Sequence, residues 1–158
     1  MKLSSELNDA LCQQVSHELG NVTKYMQISS YFENLQLKKL SKYFLDQSNQ
    51  EKEHADKFMS HINDRTGGKV IIGEIEEPQL SLTDINSVAD AFVSVEEITT
   101  ESIEDLYDLA LNDKSYIDLG FLQSMLDEQI EEEDSANSFA LKAKTTKDLV
   151  IFDATFGD

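Results

Sequence analysis

Residues 40–62 read LSKYFLDQSNQEKEHADKFMSHI. Leu40, Phe44, Gln47, Glu51, His54, Phe58 and Ile62 recur at steps of three and four, which sets them along one face of an α-helix. The aliphatic and aromatic members of that stripe call for a core, yet Glu51 and His54 interrupt it at its centre. An unpaired charge taken out of water costs several kcal/mol. Glu51-x-x-His54 also stands one turn apart on a single face. A carboxylate beside an imidazole suits first-row ions such as iron, manganese or zinc. The same pair is common on exposed helices; its place between Phe44 and Phe58 makes it informative.

Three other segments carry the same signature. The first, about 5–33, aligns Leu11, Val15, Glu18, Val22, Met26 and Ser29. The third, about 84–111, aligns Ala89, Phe92, Glu96, Thr99, Ile103 and Leu106. The fourth, about 116–144, aligns Leu122, Met125, Gln129, Glu132, Ala136 and Phe139. Each stripe holds one acid in phase with its apolar residues. Four carboxylates meeting in one core need a counter-charge, and two divalent cations balance them. The pattern therefore predicts a dinuclear metal site built from Glu18, Glu51, Glu96, Glu132 and His54, with two acids bridging and the rest terminal. His54 then needs a partner for its second ring nitrogen, and periodicity names none. Tyr25 lies two helical turns after Glu18, so its phenol can hydrogen-bond a ligand or supply one electron. Gln129, one turn before Glu132, can orient a water or an oxygen species.

The second segment extends over about 37–65 and stops at Gly67-Gly68, glycine being a natural helix terminator. The chain has one proline, Pro78, and six glycines, and that scarcity of breakers favours long helices. Helices of this length run about 42 Å at ~1.5 Å per residue. Four matched amphipathic rods bury their stripes as a bundle. Tight turns join the first pair and the second pair. The stretch from Gly67 to Leu82 can span the bundle at about 3.3 Å per residue. The expected fold class is all-α: a four-helix bundle with one long crossover and a short C-terminal fifth element at about 148–154, forming a single domain over 1–158. Ser81 or Thr83 is expected to cap the third helix, with Asp84 in its first turn.

The 158 residues carry a net charge of −18. That sign argues against nucleic acid and anionic membrane as partners and favours cations. The single cysteine, Cys12, excludes an intrachain disulfide and fits a reducing compartment. The N-terminus lacks the apolar run of a signal peptide, and no stretch has 18 consecutive apolar residues. A cytoplasmic location is the default expectation.

Taken together, His17-Glu18-Leu19 with Tyr25, Gln50-Glu51-Lys52-Glu53-His54, Glu96-Glu97, Phe121-Leu122-Gln123 and the run Asp127 to Glu133 resemble a bacterial-type non-haem ferritin. The likeness covers nearly the whole chain, loop lengths included. It implies a ferritin-like bundle and a ferroxidase centre that oxidises Fe(II) with dioxygen or peroxide, without haem. It implies storage of the ferric product as mineral inside a hollow homo-oligomeric shell, a 24-mer. By position, Glu18, Glu51 and His54 would hold the first iron; Glu51, Glu96 and Glu132 would hold the second. Tyr25 and Gln129 match the nearby tyrosine and glutamine of that pattern. Many such proteins hold a third iron, for which Glu128 and Glu131 would serve with Glu132 shared. Gln50 stands where a glutamate is frequent, so that site lacks one negative ligand. Animal ferritins line their threefold pores with acids ten and seven residues before the glutamine, where this chain has Leu119 and Leu122. A bacterioferritin would carry a second Glu-x-x-His on the fourth helix, where Gln129-x-x-Glu132 stands. A non-catalytic acidic shell that only buffers iron is the alternative from a different functional class.

Overall fold

The computed structural model describes residues 1–157. They form α1 (Ser5–Asn34), α2 (Lys38–Asp64), α3 (Ile85–Asn112), α4 (Tyr116–Thr145) and the short α5 (Leu149–Ala154). Side-chain partners give the directions. Contacts between α1 and α3 pair His17 with Thr99 and Tyr25 with Glu96, so their numbers run oppositely. Contacts between α2 and α4 pair Phe44 with Phe139 and Phe58 with Phe121, again oppositely. Short turns make α1–α2 and α3–α4 antiparallel hairpins. Hence α3 runs parallel to α2, and the segment after Asp64 is the long crossover. No helix among the described residues is long and apolar enough to cross a membrane.

The apolar stripes meet in two clusters. One contains Tyr25, Phe32, Phe44, Phe92 and Phe139, with Phe152 of α5 closing its end. The other contains Leu7, Leu11, Phe58, Ile62, Ile103 and Leu122. Between them lies a buried polar layer of Glu18, Glu51, Glu96 and Gln129. The hydrophobic stabilisation thus resides at the two ends of the bundle, and these hold the polar middle in place.

Polar residues one turn apart on α1 pin the crossover. Asn8 accepts from Lys69 N at 2.9 Å and donates to Lys69 O at 3.1 Å. The Cys12 thiol donates to Lys69 O at 3.3 Å and accepts from Ile71 N at 3.4 Å. Ser16 accepts from Gly73 N at 3.1 Å. Cys12 therefore serves as a polar anchor within this ladder. Gly67 starts the strap with φ +81, in the left-handed region where a side chain is strained.

The cap of α3 differs from the expectation. Asp84 is the N-cap, extended at φ −155, and its carboxylate accepts from Ser87 N; Ser87 Oγ bonds back to complete a capping box. Asp outcompetes Ser81 and Thr83 because its carboxylate also meets the positive helix end. α2 has no cap of its own, and Asp153 of α5 supplies one by accepting from Leu40 N at 2.8 Å. The fifth helix is thereby fastened to the start of the second.

At the opposite end of the bundle, Asp118 is buried and accepts from Arg65 Nε at 2.7 Å, from Arg65 Nη2 at 3.2 Å and from His61 Nε2 at 2.7 Å, with Ser115 as a further donor. Burial works against its charge, but hydrogen bonds from Arg65, Ser115 and His61 outweigh that and hold its carboxyl below the usual range. Asp118→Ala leaves Arg65 buried without its partner and is expected to cost about 2–4 kcal/mol, read from the denaturant midpoint. Leu122 is fully buried in the core of the bundle.

Candidate metal centre

Glu18 on α1, Glu51 on α2 and Glu96 on α3 are fully buried. Each sits on the apolar stripe of its own helix, which turns it inward at mid-bundle. Glu18, Glu51 and His54 offer ligand atoms that all lie within 4.8 Å of one another. Glu18 Oε2, Glu51 Oε1 and His54 Nδ1 are buried and lack a hydrogen-bond partner among the described residues. Native interiors rarely leave such atoms unsatisfied. Three convergent orphans, two carboxylate oxygens and one imidazole nitrogen, form a donor set that suits a first-row cation.

The other oxygens are held. Gln14 donates to Glu18 Oε1 at 2.8 Å, and Asn21 donates to Glu51 Oε2 at 3.0 Å. Tyr25, fully buried with its ring edge-on to Phe92 at 5.6 Å, donates to Glu96 Oε1. Gln129 Nε2 lies 3.3 Å from Glu96 Oε2, from Glu96 O and from Thr100 Oγ1, while its own Oε1 is buried and unpartnered. Gln14 and Asn21 escaped the sequence reading. Each lies four or three residues from Glu18, and that spacing was the available signal.

His54 Nε2 lies 3.1 Å from Glu128 Oε2, and His54 Nδ1 lies 3.4 Å from Glu51 Oε1. Glu128 is thus the partner that fixes the ring and leaves Nδ1 facing the cluster. Its carboxylate also takes Lys57 Nζ on both oxygens, at 2.6 and 2.8 Å. Glu132 is half-buried and Glu131 is exposed. The structure therefore gathers Glu18, Glu51, His54, Glu96, Tyr25 and Gln129 tightly, keeps Glu132 at the rim, and leaves Glu131 outside.

Electrostatics follow from this crowding. Burial first, and then the charge of Glu51, push the Glu18 carboxyl well up. Burial and Glu51 raise Glu96 to about 8. Burial, with Glu96 and Glu51 beside it, raises the Tyr25 phenol strongly. Burial also penalises Glu51, but the neighbouring His54 ring and Glu18 carboxyl and the hydrogen bond from Asn21 hold it low. For His54 burial acts downward, while the Glu51 carboxylate beside it brings the ring up on balance. The crowding therefore disfavours the ionised forms of Glu18 and Glu96 in the metal-free layer, and a cation placed there would favour them.

The ferritin-like domain family matches residues 8–145. A bacterial non-heme ferritin from Staphylococcus saprophyticus is 31% identical over 131 residues, covering 83% of this chain and 78% of that protein. Another from Staphylococcus epidermidis is 32% identical over the same shares. Among solved structures, the open pore ferritin of the hyperthermophilic archaeon Archaeoglobus fulgidus superposes with a TM-score of 0.92 at 27% identity, covering 97% of this chain and 95% of that one. An engineered closed form of that ferritin gives 0.90 at 27% identity, covering 98% and 96%. A bundle with one crossover, buried acids at its midpoint and a match over most of its length place this chain in the ferritin family.

Proposed function

We propose that this protein is an iron-storage ferritin that oxidises Fe(II) at a dinuclear carboxylate centre and keeps the ferric product as mineral within a homo-oligomeric shell, a 24-mer in the cytoplasm. The observation that carries this reading is the convergence of unpartnered Glu18, Glu51 and His54 atoms in a buried polar layer between the two apolar clusters. Iron is the substrate. Glu18, Glu51 and His54 take one ferrous ion; Glu51, Glu96 and Glu132 take a second. Each ion loses one electron, dioxygen accepts both with two protons, and peroxide leaves. Carboxylate oxygens favour the ferric product because they are hard, anionic ligands. Gln129 presents a free amide oxygen for a bound water, and Tyr25, hydrogen-bonded to Glu96, would hold that ligand in place.

Stopped-flow absorbance after adding Fe(II) in air tests the catalytic claim. Wild type oxidises ferrous iron rapidly, whereas Glu18→Ala falls to the uncatalysed rate while its size-exclusion mass is unchanged. An unchanged rate would leave only the buffering shell.

Two ions per subunit is the reading the side chains favour. Lys57 already neutralises Glu128, Gln50 brings no charge, and both Gln50 and Glu131 are exposed. Zinc titration is expected to saturate at two tight equivalents per subunit. The double variant Gln50→Glu/Lys57→Ala, which supplies the missing acid and frees Glu128, is expected to add a third.

A further inference from the structure

The polar layer contains a hydrogen-bonded chain that the metal chemistry leaves unused. Asn21, on α1, is completely buried, and so is Thr99, on α3. Asn21 Nδ2 donates to Glu51 Oε2 at 3.0 Å and to Thr99 Oγ1 at 2.9 Å. The Thr99 hydroxyl gives its one proton to Val95 O at 2.8 Å. Both of its lone pairs then remain as acceptors. One receives Asn21. The other faces His17 Nε2 at 2.9 Å, which fixes that ring nitrogen as the donor. Every polar atom of Thr99 is thus assigned, and the assignment orients the Asn21 amide: with Nδ2 toward Thr99, its oxygen turns away from Glu51, and Lys24 Nζ lies 3.4 Å from it.

The consequence falls on Glu51. Its Oε2 is tethered, while its Oε1 has no hydrogen-bond partner and lies beside His54 Nδ1. Without Asn21 the carboxylate could rotate about its last bond, and its buried oxygens would seek Glu18 or His54 instead. Pre-orientation of a ligating carboxylate by an outer hydrogen-bond donor typically accounts for about 10–100-fold in metal affinity. Thr99 in turn prevents the Asn21 amide from flipping to present its oxygen to Glu51, where two acceptors would repel.

We propose that Asn21 is a positioning residue that aims Glu51 Oε1 at the first ion, and that Thr99, backed by His17, locks Asn21 in its donating orientation. This rests on the reading of Glu51 as a metal ligand. Nothing in the chain's length, charge or stripe pattern required a hydroxyl or an amide here, since alanine or valine would fill the same core positions without a buried polar group to satisfy.

The test is zinc binding to the assembled apo protein, by calorimetry, because zinc carries no redox chemistry. Asn21→Leu and Thr99→Val each lower the affinity of the tighter zinc step by about 10-fold or more, whereas Thr99→Ser, which keeps the hydroxyl, stays within about 3-fold of wild type. Thermal midpoint and assembled mass accompany each measurement, so that a folding defect is recognised; if Asn21→Leu fails to fold, the Thr99→Val and Thr99→Ser pair carries the decision alone. Wild-type zinc affinity in folded Asn21→Leu, or equal losses in Thr99→Val and Thr99→Ser, overturns the positioning role while leaving the metal centre intact. Absence of tight zinc binding in wild type overturns the metal centre itself.

Discussion

Glu51→Gln is expected to slow ferrous oxidation on the order of 100-fold or more, a far larger loss than the same change at Glu132 on the rim. Glu51 is the acid most widely coupled to the others: it borders Glu18 and His54, takes Asn21, and its charge acts on Glu96, Tyr25 and Glu132. A glutamine keeps the volume but removes the negative charge shared by both ions. Its amide can keep the oxygen toward Asn21 while its N–H donates to His54 Nδ1, which takes that nitrogen's lone pair away from a cation. The fold should tolerate the change, because glutamine keeps the volume and can still pair with Asn21. The Glu51 carboxyl is held low in the fold, so losing its charge is expected to lower the stability of the apo protein rather than raise it. Glu132→Gln supplies the internal comparison. At the rim, with partial access to water, its loss should slow oxidation by only about 10-fold. Stopped-flow rates, denaturant midpoints and size-exclusion masses of the two variants separate a catalytic defect from a structural one. Equal losses at Glu51 and Glu132 would mean that the second ion, not the shared ligand, limits the rate.

That ranking was only partly legible in the sequence. The four long helices were, because segments of this length with no proline and few glycines leave little room for any other periodicity, and because stripes carrying Phe44 and Phe58, Phe92, or Phe139 have to face a core. The inward aim of Glu18, Glu51 and Glu96 followed from the same phase. Glu132 occupies an equally good phase between Gln129 and Ala136, yet it ends half-buried. A stripe fixes the angle of a residue around its helix axis and says nothing about how far the neighbouring helix overlaps it. The partners of the ligands were the hardest to see. Glu128 reaches His54 across 74 positions of chain, and Thr99 reaches Asn21 across 78. Such pairings exist only once two hairpins dock, and no local spacing encodes them. The cap on α2 is the same kind of feature: Asp153 lies in a separate element 113 residues from Leu40.

Metal binding at neutral pH should release protons from the buried acids, and this release should fade as the pH passes about 8. The sign follows from the buried acids. In the apo protein Glu96 titrates at about 8 against an ordinary 4.5, so at pH 7 it is mostly protonated; Glu18 is shifted the same way. A cation between these groups makes the ionised form the favoured one and expels the protons. Above about pH 8 Glu96 is already ionised, and less remains to be expelled. The same shifts govern stability. Carboxyls whose folded pKa lies above the unfolded value bind more protons when folded, so apo stability is highest at low pH in this window and falls as the pH rises from about 4.5 to about 8. Each such group contributes a slope of about 1.4 kcal/mol per pH unit. His54, raised as well, adds a loss of the same sign as the pH climbs through its folded pKa; Glu51, held low, has the opposite sign but is exhausted above the ordinary carboxylate range. Zinc at saturation should flatten the profile, because the cation then occupies the place of the protons and the penalty on the ionised carboxylates disappears. Calorimetric zinc titrations at pH 6.5 and at about pH 9, each in two buffers of different ionisation heat, measure the release directly, and denaturant midpoints across the same range measure the slope. Zinc binding that releases no protons at pH 6.5 would show that Glu18 and Glu96 are already ionised in the apo protein, and the buried layer would then need a counter-charge of its own before any metal arrives.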